Sequence, residues 1–424
     1  MTLLGAPILK GPAVDKALDN KVADLERAMQ RLSLLHAHDA MVLLKNSLSM
    51  PKLLYLLRTS ECSGNVLLSK FDDTLRTGLC KLLNVELGDD QWLQASLPLR
   101  NGGLGIRSAK MLAPSAFLAS AASTLSLQQS ILPEPFKSSP DLTVATMLTH
   151  WKNLSGTEEP KPEDQQTQKA WDGMVARKHH ETCLSRATTD VDKARLFAAA
   201  APHSGDWLNA PPITAIGLRL DDEALRVAVV QRLGSRACEP HICPCSKLVD
   251  ARGLHGLSCK LSGPRQQRHS QMNDIIWTAI KRAQIPATKE PIGLFRHDNK
   301  RPDGVTQIPW ARGKPMAWDV TVPDTFAQSH IQNTSAEAGA AANHAAAAKT
   351  AKYLMLEDTH LFIPVAIETG GAWNVQAIEL VQEIGQRIST VTMDSKETTY
   401  LFQRLSMTIQ RGNAVSFRNT FQFE

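Results

Sequence analysis

The sequence predicts an α + α/β protein. A helical first part is followed by a polar middle, a small cysteine-rich knuckle, and a last domain in which helices cover a small mixed sheet. Three observations predict it. Apolar residues recur three or four apart through the first 125 positions, the spacing that lines one face of a helix. Cys243, Cys245, His255 and Cys259 crowd into one short segment. Beyond them, alternating stretches around Asp303 and Asp319 flank a turn-forming sequence, then lead into an alanine-rich helix and another apolar strand.

Each element follows in order. Val22, Leu25, Met29, Leu32 and Leu35 mark a first helix. Pro51 marks a break before Leu53–Leu57, and a further helix is expected over Val66–Leu83. Asp72 and Asp73 read as exposed residues of that helix. The Asn101–Gly105 loop lacks the Gly-Lys-Ser/Thr ending and the preceding strand of a phosphate loop. A small-residue helix near Ser108–Ser123 completes a first domain over residues 1–125. Residues 126–205 are polar and read as a partly helical linker, with a helix at Gln165–Cys183. Residues 206–265 hold a connector, a helix at Ala224–Leu233 and the knuckle. Residues 266–424 form the last domain. Its helix opens at Arg265 and runs to Arg282, and its first strand is expected at Ile292–Phe295. Asp303, Val305 and Gln307 share one face of the next strand, and Asp319 and Thr321 share one face of the strand after it. Ala336–Leu356 reads as one helix, Phe362–Glu368 as a strand, and Ile378–Ile388 and Tyr400–Arg411 as helices.

The whole-chain properties narrow the function classes. At 424 residues, the chain suits two or three domains. No run is long and apolar enough to cross a bilayer, and the alanine-rich run is broken by Glu337, Asn343 and His344. The seven cysteines are odd in number and unevenly spread, which fits a reducing compartment better than a disulfide framework. The net charge of +5 is concentrated. Arg226–Arg301 carries 14 Lys and Arg against 5 Asp and Glu. A basic segment just before two carboxylates suits a polyanionic substrate.

Two constellations carry chemistry. Cys243-Pro244-Cys245, His255 and Cys259 offer four soft ligands, the number that closes a tetrahedral structural zinc site. His255 and Cys259 are four apart, so one helical turn points both at one ion. The Cys-x-Cys spacing is tighter than usual, and Cys238 and His241 are possible substitutes. The second constellation is Asp303 and Asp319. Two close carboxylates repel unless a cation joins them, which points to a hard divalent metal, Mg²⁺ or Mn²⁺. Glu290 is a candidate third carboxylate. Lys349 or Lys352, on the alanine-rich helix, could neutralise charge developing on a phosphate. His269, at the start of its helix, could touch a phosphate or the metal shell, but reads first as a capping or surface histidine.

These residues in this order resemble the restriction-like PD-(D/E)XK endonuclease of non-LTR retrotransposons. The likeness rests on the knuckle, Arg268-His269, Arg301-Pro302-Asp303, Trp318-Asp319-Val320-Thr321 and Lys349-x-x-Lys352-Tyr353, and spans Cys243 to about Asn413. Upstream, Leu4–Ile8, Pro51–Thr59 and Leu97–Gly105 look like the end of a reverse-transcriptase palm and its helical thumb. The resemblance implies the C-terminal part of a LINE-type polyprotein, with Mg²⁺ on Asp303 and Asp319 and a lysine from the following helix. That lysine usually stands two positions after the second acid, where this chain has Thr321. It further implies nicking of a DNA target to prime reverse transcription, element RNA and upstream polymerase domains as partners, and a nuclear location. The polymerase aspartates are expected ahead of Met1, so no polymerase activity is expected here. The alternative is a catalytically inactive nucleic-acid-binding remnant.

Overall fold

Leucine and valine spaced at helical intervals build the first of two units, Met1–Arg186 and Ala187–Glu424, seen in the computed structural model. Residues 2–7, 11–137, 141–261, 264–292, 294 and 301–421 are described. The Pro12–Leu32 helix buries Val14, Leu18, Val22, Leu25 and Leu32 along one stripe. Leu35, expected on that stripe, is exposed because the helix and its 3.6-residue phase end at Leu32. Pro51 stands in the first turn of the Met50–Thr59 helix, where its missing N–H has no helical partner to lose.

The Val66–Leu83 helix forms as expected, and Asp73 is exposed. Asp72 corrects the sequence reading, since it is buried. Its carboxylate accepts hydrogen bonds from Ser108 Oγ at 2.6 Å, from the Ala109 amide at 2.7 Å and from the Lys110 amide at 3.3 Å. It thereby satisfies the open amides at the start of the Ala109–Ile131 helix.

The polar stretch after residue 125 holds the helices Leu142–Ser155, Gln168–Arg186 and Asp190–Ala200. The first two pack within the first unit. Trp151 and Trp171 meet edge to face with ring centroids 4.9 Å apart, in a core shared with Leu118, Met147 and Val175. Arg107 grips Asp172 with two bonds of 2.6 Å. The composition looks like linker because each helix buries only a narrow stripe.

In the second unit, the sheet places its strands in chain order: Ala287–Lys289, Gly304–Thr306, Met316–Thr321 and Leu361–Ala366. The first two pairings are antiparallel and the last is parallel. The first strand therefore lies before Glu290, not at Ile292–Phe295. Gly293 and Phe295, within that expected span, lie outside the described residues. Arg312 and Gly313, with φ of 52° and 73°, form the tight turn between Ala311 and Lys314 that helps link the second and third strands.

The third strand is buried on both faces, as a strand with a parallel neighbour requires. Met316, Trp318 and Val320 enter the main core with Ile276, Ile280, Val365 and Leu380. That core is closed by the helices Pro264–Arg282, Val375–Thr392 and Glu397–Arg418. On the other face, Ala317 packs with Tyr353 and Leu356, and Ala342 and Ala346 pack on Ala366. Small residues let the Ala340–Lys352 helix lie close to the sheet. This helix is shorter than the expected Ala336–Leu356. Gly339 caps it with φ of 80°, and a separate 3₁₀ turn covers Leu354–Leu356. Among the described residues, no helix is long and apolar enough to cross a membrane.

Candidate functional site

The antiparallel ladder pairs Gly304 with Trp318, so one step further along, Asp303 stands opposite Asp319. Gly304 is required there. A Cβ at that position would lie 2.0 Å from the Trp318 indole. The indole N–H donates to Asn273 Oδ1 at 2.8 Å, and Asn273 Nδ2 donates to the Asp303 carbonyl at 3.2 Å. Side-chain packing thus fixes the backbone beneath the first carboxylate.

Asp319 is 2% exposed. Lys349 Nζ lies 2.5 Å from its Oδ1. The pair is close enough to neutralise charge, but the angles fall outside hydrogen-bond geometry, so Oδ1 is buried without an aligned donor. Burial, and then the facing Asp303, push the Asp319 carboxyl above its ordinary range, while Lys349 and Tyr353 draw it back. Asp303 is tied through one oxygen. Oδ2 accepts from the Val320 amide at 2.6 Å and lies 3.0 Å from His269 Nε2. The Asp303 carboxylate holds the His269 imidazole above its ordinary range.

The remaining expected site residues divide. Lys349 reaches the carboxylates. Lys352 turns instead to Tyr353, donating to its hydroxyl at 2.8 Å, and that hydroxyl donates to the Arg301 carbonyl at 2.6 Å. Glu290 stands next to Asp303 by register, and its amide donates to the Asp303 carbonyl at 3.1 Å. Its φ of 46° takes it out of the strand, and its side chain is exposed. Among the described residues, no carboxylate group of three gathers as a metal cluster.

Three contributors were missed by sequence reasoning. His269, read first as a surface or capping residue, faces Asp303. Asn273 joins Trp318 to Asp303. Glu368 is fully buried, and its Oε1 accepts from the Ala341 and Ala342 amides at 2.9 and 3.2 Å. It therefore anchors the start of the helix that carries Lys349. His269 and Asn273 are one helical turn apart, a spacing visible in the sequence. Glu368 has no local signal, because its partners lie 27 and 26 residues away.

The cysteine–histidine centre is a separate cluster. The ligand atoms of Cys243, Cys245, His255 and Cys259 all lie within 4.8 Å of one another and could hold a metal ion such as zinc. Cys243 and Cys259 sulfurs are 3.7 Å apart, and Cys245 Sγ is 3.1 Å from His255 Nε2. A zinc tetrahedron with Zn–S bonds of about 2.3 Å sets its sulfurs about 3.8 Å apart, so the donor set fits. The two possible substitutes are engaged elsewhere. Cys238 Sγ points to the Asp250 carbonyl at 3.5 Å, and His241 Nε2 meets Thr420 Oγ1 at 3.0 Å. The centre leans on the last helix. A Cβ at Gly256 would lie 2.8 Å from the Ser416 carbonyl.

The basic segment is less free than its composition implies. Arg226, Arg236, Arg252, Arg282 and Lys289 pair with acidic side chains of the same unit. Arg232 and Arg268 are buried, donating to the Ala199 carbonyl and to Asn413 Oδ1. Burial lowers the Arg232 guanidinium to about 9 and that of Arg268 to about 10. No protein-family model matches the chain, and no curated protein matches it by sequence.

Proposed function

We propose that the second unit is a divalent-metal-dependent DNA endonuclease, within a chain that is the C-terminal part of a non-LTR retrotransposon polyprotein. The observation that carries this reading is the buried Asp319, set opposite Asp303 and neutralised by Lys349 at 2.5 Å. An interior carboxylate facing another carboxylate costs stability, and such costs concentrate at functional sites. Among the described residues Asp303 Oδ1 accepts no hydrogen bond, its partners meeting Oδ2, and Asp319 Oδ1 is met by Lys349 without an aligned hydrogen bond. Two such oxygens suit Mg²⁺, which takes one or two carboxylates and keeps several waters.

Asp303 and Asp319 would hold the cation, which supplies Lewis acidity at the scissile phosphate. Lys349 offers positive charge where the phosphorane-like charge develops. Water adds to phosphorus, the bond to the 3′ oxygen breaks, and that oxygen leaves with a proton as a 3′-hydroxyl. In this reading that end primes copying of element RNA by upstream polymerase domains, the first unit is the thumb, and the work is nuclear. Incubation of supercoiled plasmid with Mg²⁺ or Mn²⁺ tests it. The expected product is an open circle whose nick a DNA polymerase can extend. Plasmid that is bound but uncut favours an inactive nucleic-acid-binding remnant, a reading whose loss of activity the exposed Glu290 supports.

A further inference from the structure

The Pro264–Arg282 helix grips Asp303 at two points. His269 and Asn273 are four apart and share a helix face. Asn273 Nδ2 holds the Asp303 carbonyl at 3.2 Å, and His269 Nε2 lies 3.0 Å from Asp303 Oδ2. The same Nε2 donates to the Val320 carbonyl at 3.0 Å, and its contact with Asp303 Oδ2 is an ion pair beside that bond. The turn bearing His269 is itself anchored. Arg268 is 1% exposed, and its guanidinium donates to Asn413 Oδ1 at 2.6 Å.

Asp303 needs this help. It follows Pro302, which has no amide to donate, and lies one step beyond the paired residues Gly304 and Trp318 at the end of the strand. The sheet alone holds its carboxylate at one point, the Val320 amide. The Val320 amide and His269 together occupy Oδ2. Oδ1 is left without a donor among the described residues.

We infer that His269 is a positioning residue, which locks the rotation of the Asp303 carboxylate and presents Oδ1 alone to a divalent cation. This inference rests on the nuclease reading. His269 touches neither the phosphate nor the cation. It acts through Asp303, as outer partners orient metal ligands elsewhere.

The test uses the full chain and Mn²⁺ as probe, with binding read by electron paramagnetic resonance and the Asp303→Ala chain as blank. Nicking of supercoiled plasmid is measured beside it. His269→Ala is expected to weaken Mn²⁺ binding at this site roughly 10- to 100-fold. It is expected to lower kcat with little change in KM for DNA. His269→Gln keeps an amide donor and is expected to recover part of the loss, and thermal melting checks that both variants fold. Parent-like Mn²⁺ binding and nicking in His269→Ala would overturn the inference alone. So would a folded His269→Gln chain as impaired as His269→Ala. A parent that matches the Asp303→Ala blank in Mn²⁺ binding and in nicking would overturn the nuclease reading, and the inference with it.

Discussion

Replacing Lys349 by Met removes the cation that offsets a buried carboxylate. Asp319 is 2% exposed, lies in the third strand and faces Asp303. Deleting one partner of a buried pair typically costs about 3–5 kcal/mol, because the other charge stays behind. The Lys349 side chain is 27% exposed and the Asp319 carboxyl is already pushed toward its neutral form, so the lower end, about 3 kcal/mol, applies here. For a unit of this size that amounts to a melting shift of roughly 6–12 °C. Differential scanning calorimetry reads it. Asp319→Asn in the same chain deletes the stranded charge and should recover more than half the loss. A Lys349→Met chain that melts within about 1 °C of the parent would refute the reasoning, as would Asp319→Asn giving no rescue.

Further expectations concern other parts of the molecule. Asp72→Ala should lower first-unit stability by about 2 kcal/mol, since three donors lose their acceptor, while Asp72→Asn, with one acceptor oxygen in place of two, should retain only part of it; urea midpoints distinguish them. Chelation should strip one zinc per chain and lower the melting temperature of the second unit, and Cys259→Ser should do the same while Cys238→Ser retains the metal, as elemental analysis would show. Burial holds the His179 and His180 imidazoles below their ordinary 6.5. Above that pH, both folded and unfolded states are neutral and no penalty exists. As pH falls through 6.5, the unfolded chain takes protons first, so first-unit stability should decline, and His179→Gln with His180→Gln should flatten the decline.

Legibility followed the range of the interactions. The Val66–Leu83 helix was read to the residue because capping and periodicity are local, with Asn65 accepting from the Leu67 amide. The two carboxylate strands were legible because a hairpin turn joins neighbours in sequence. Cys243, Cys245, His255 and Cys259 were legible because soft ligands cluster in the chain as they do in space. Features set by distant partners were not. Asp72 looks like a surface residue until the start of the Ala109–Ile131 helix arrives beside it. Trp151 and Trp171 were hidden in a polar stretch that buries only one stripe per helix. Glu290 stands at the right register, but its φ of 46° turns it out of the strand, and a backbone angle of that kind leaves little trace in composition. The basic surplus misled for a related reason, because composition does not say which arginines are spent on internal carboxylates.

The proposed function makes cleavage depend on both Asp303 and Asp319 and on a divalent metal. The most direct measurement is Mn²⁺- or Mg²⁺-dependent nicking of supercoiled plasmid by the parent, Asp303→Ala and Asp319→Ala chains, with DNA binding followed in the same preparations. The expected result is nicking by the parent alone, with both variants still bound to DNA. An uncut plasmid with the parent, or equal nicking by all three chains, would contradict it.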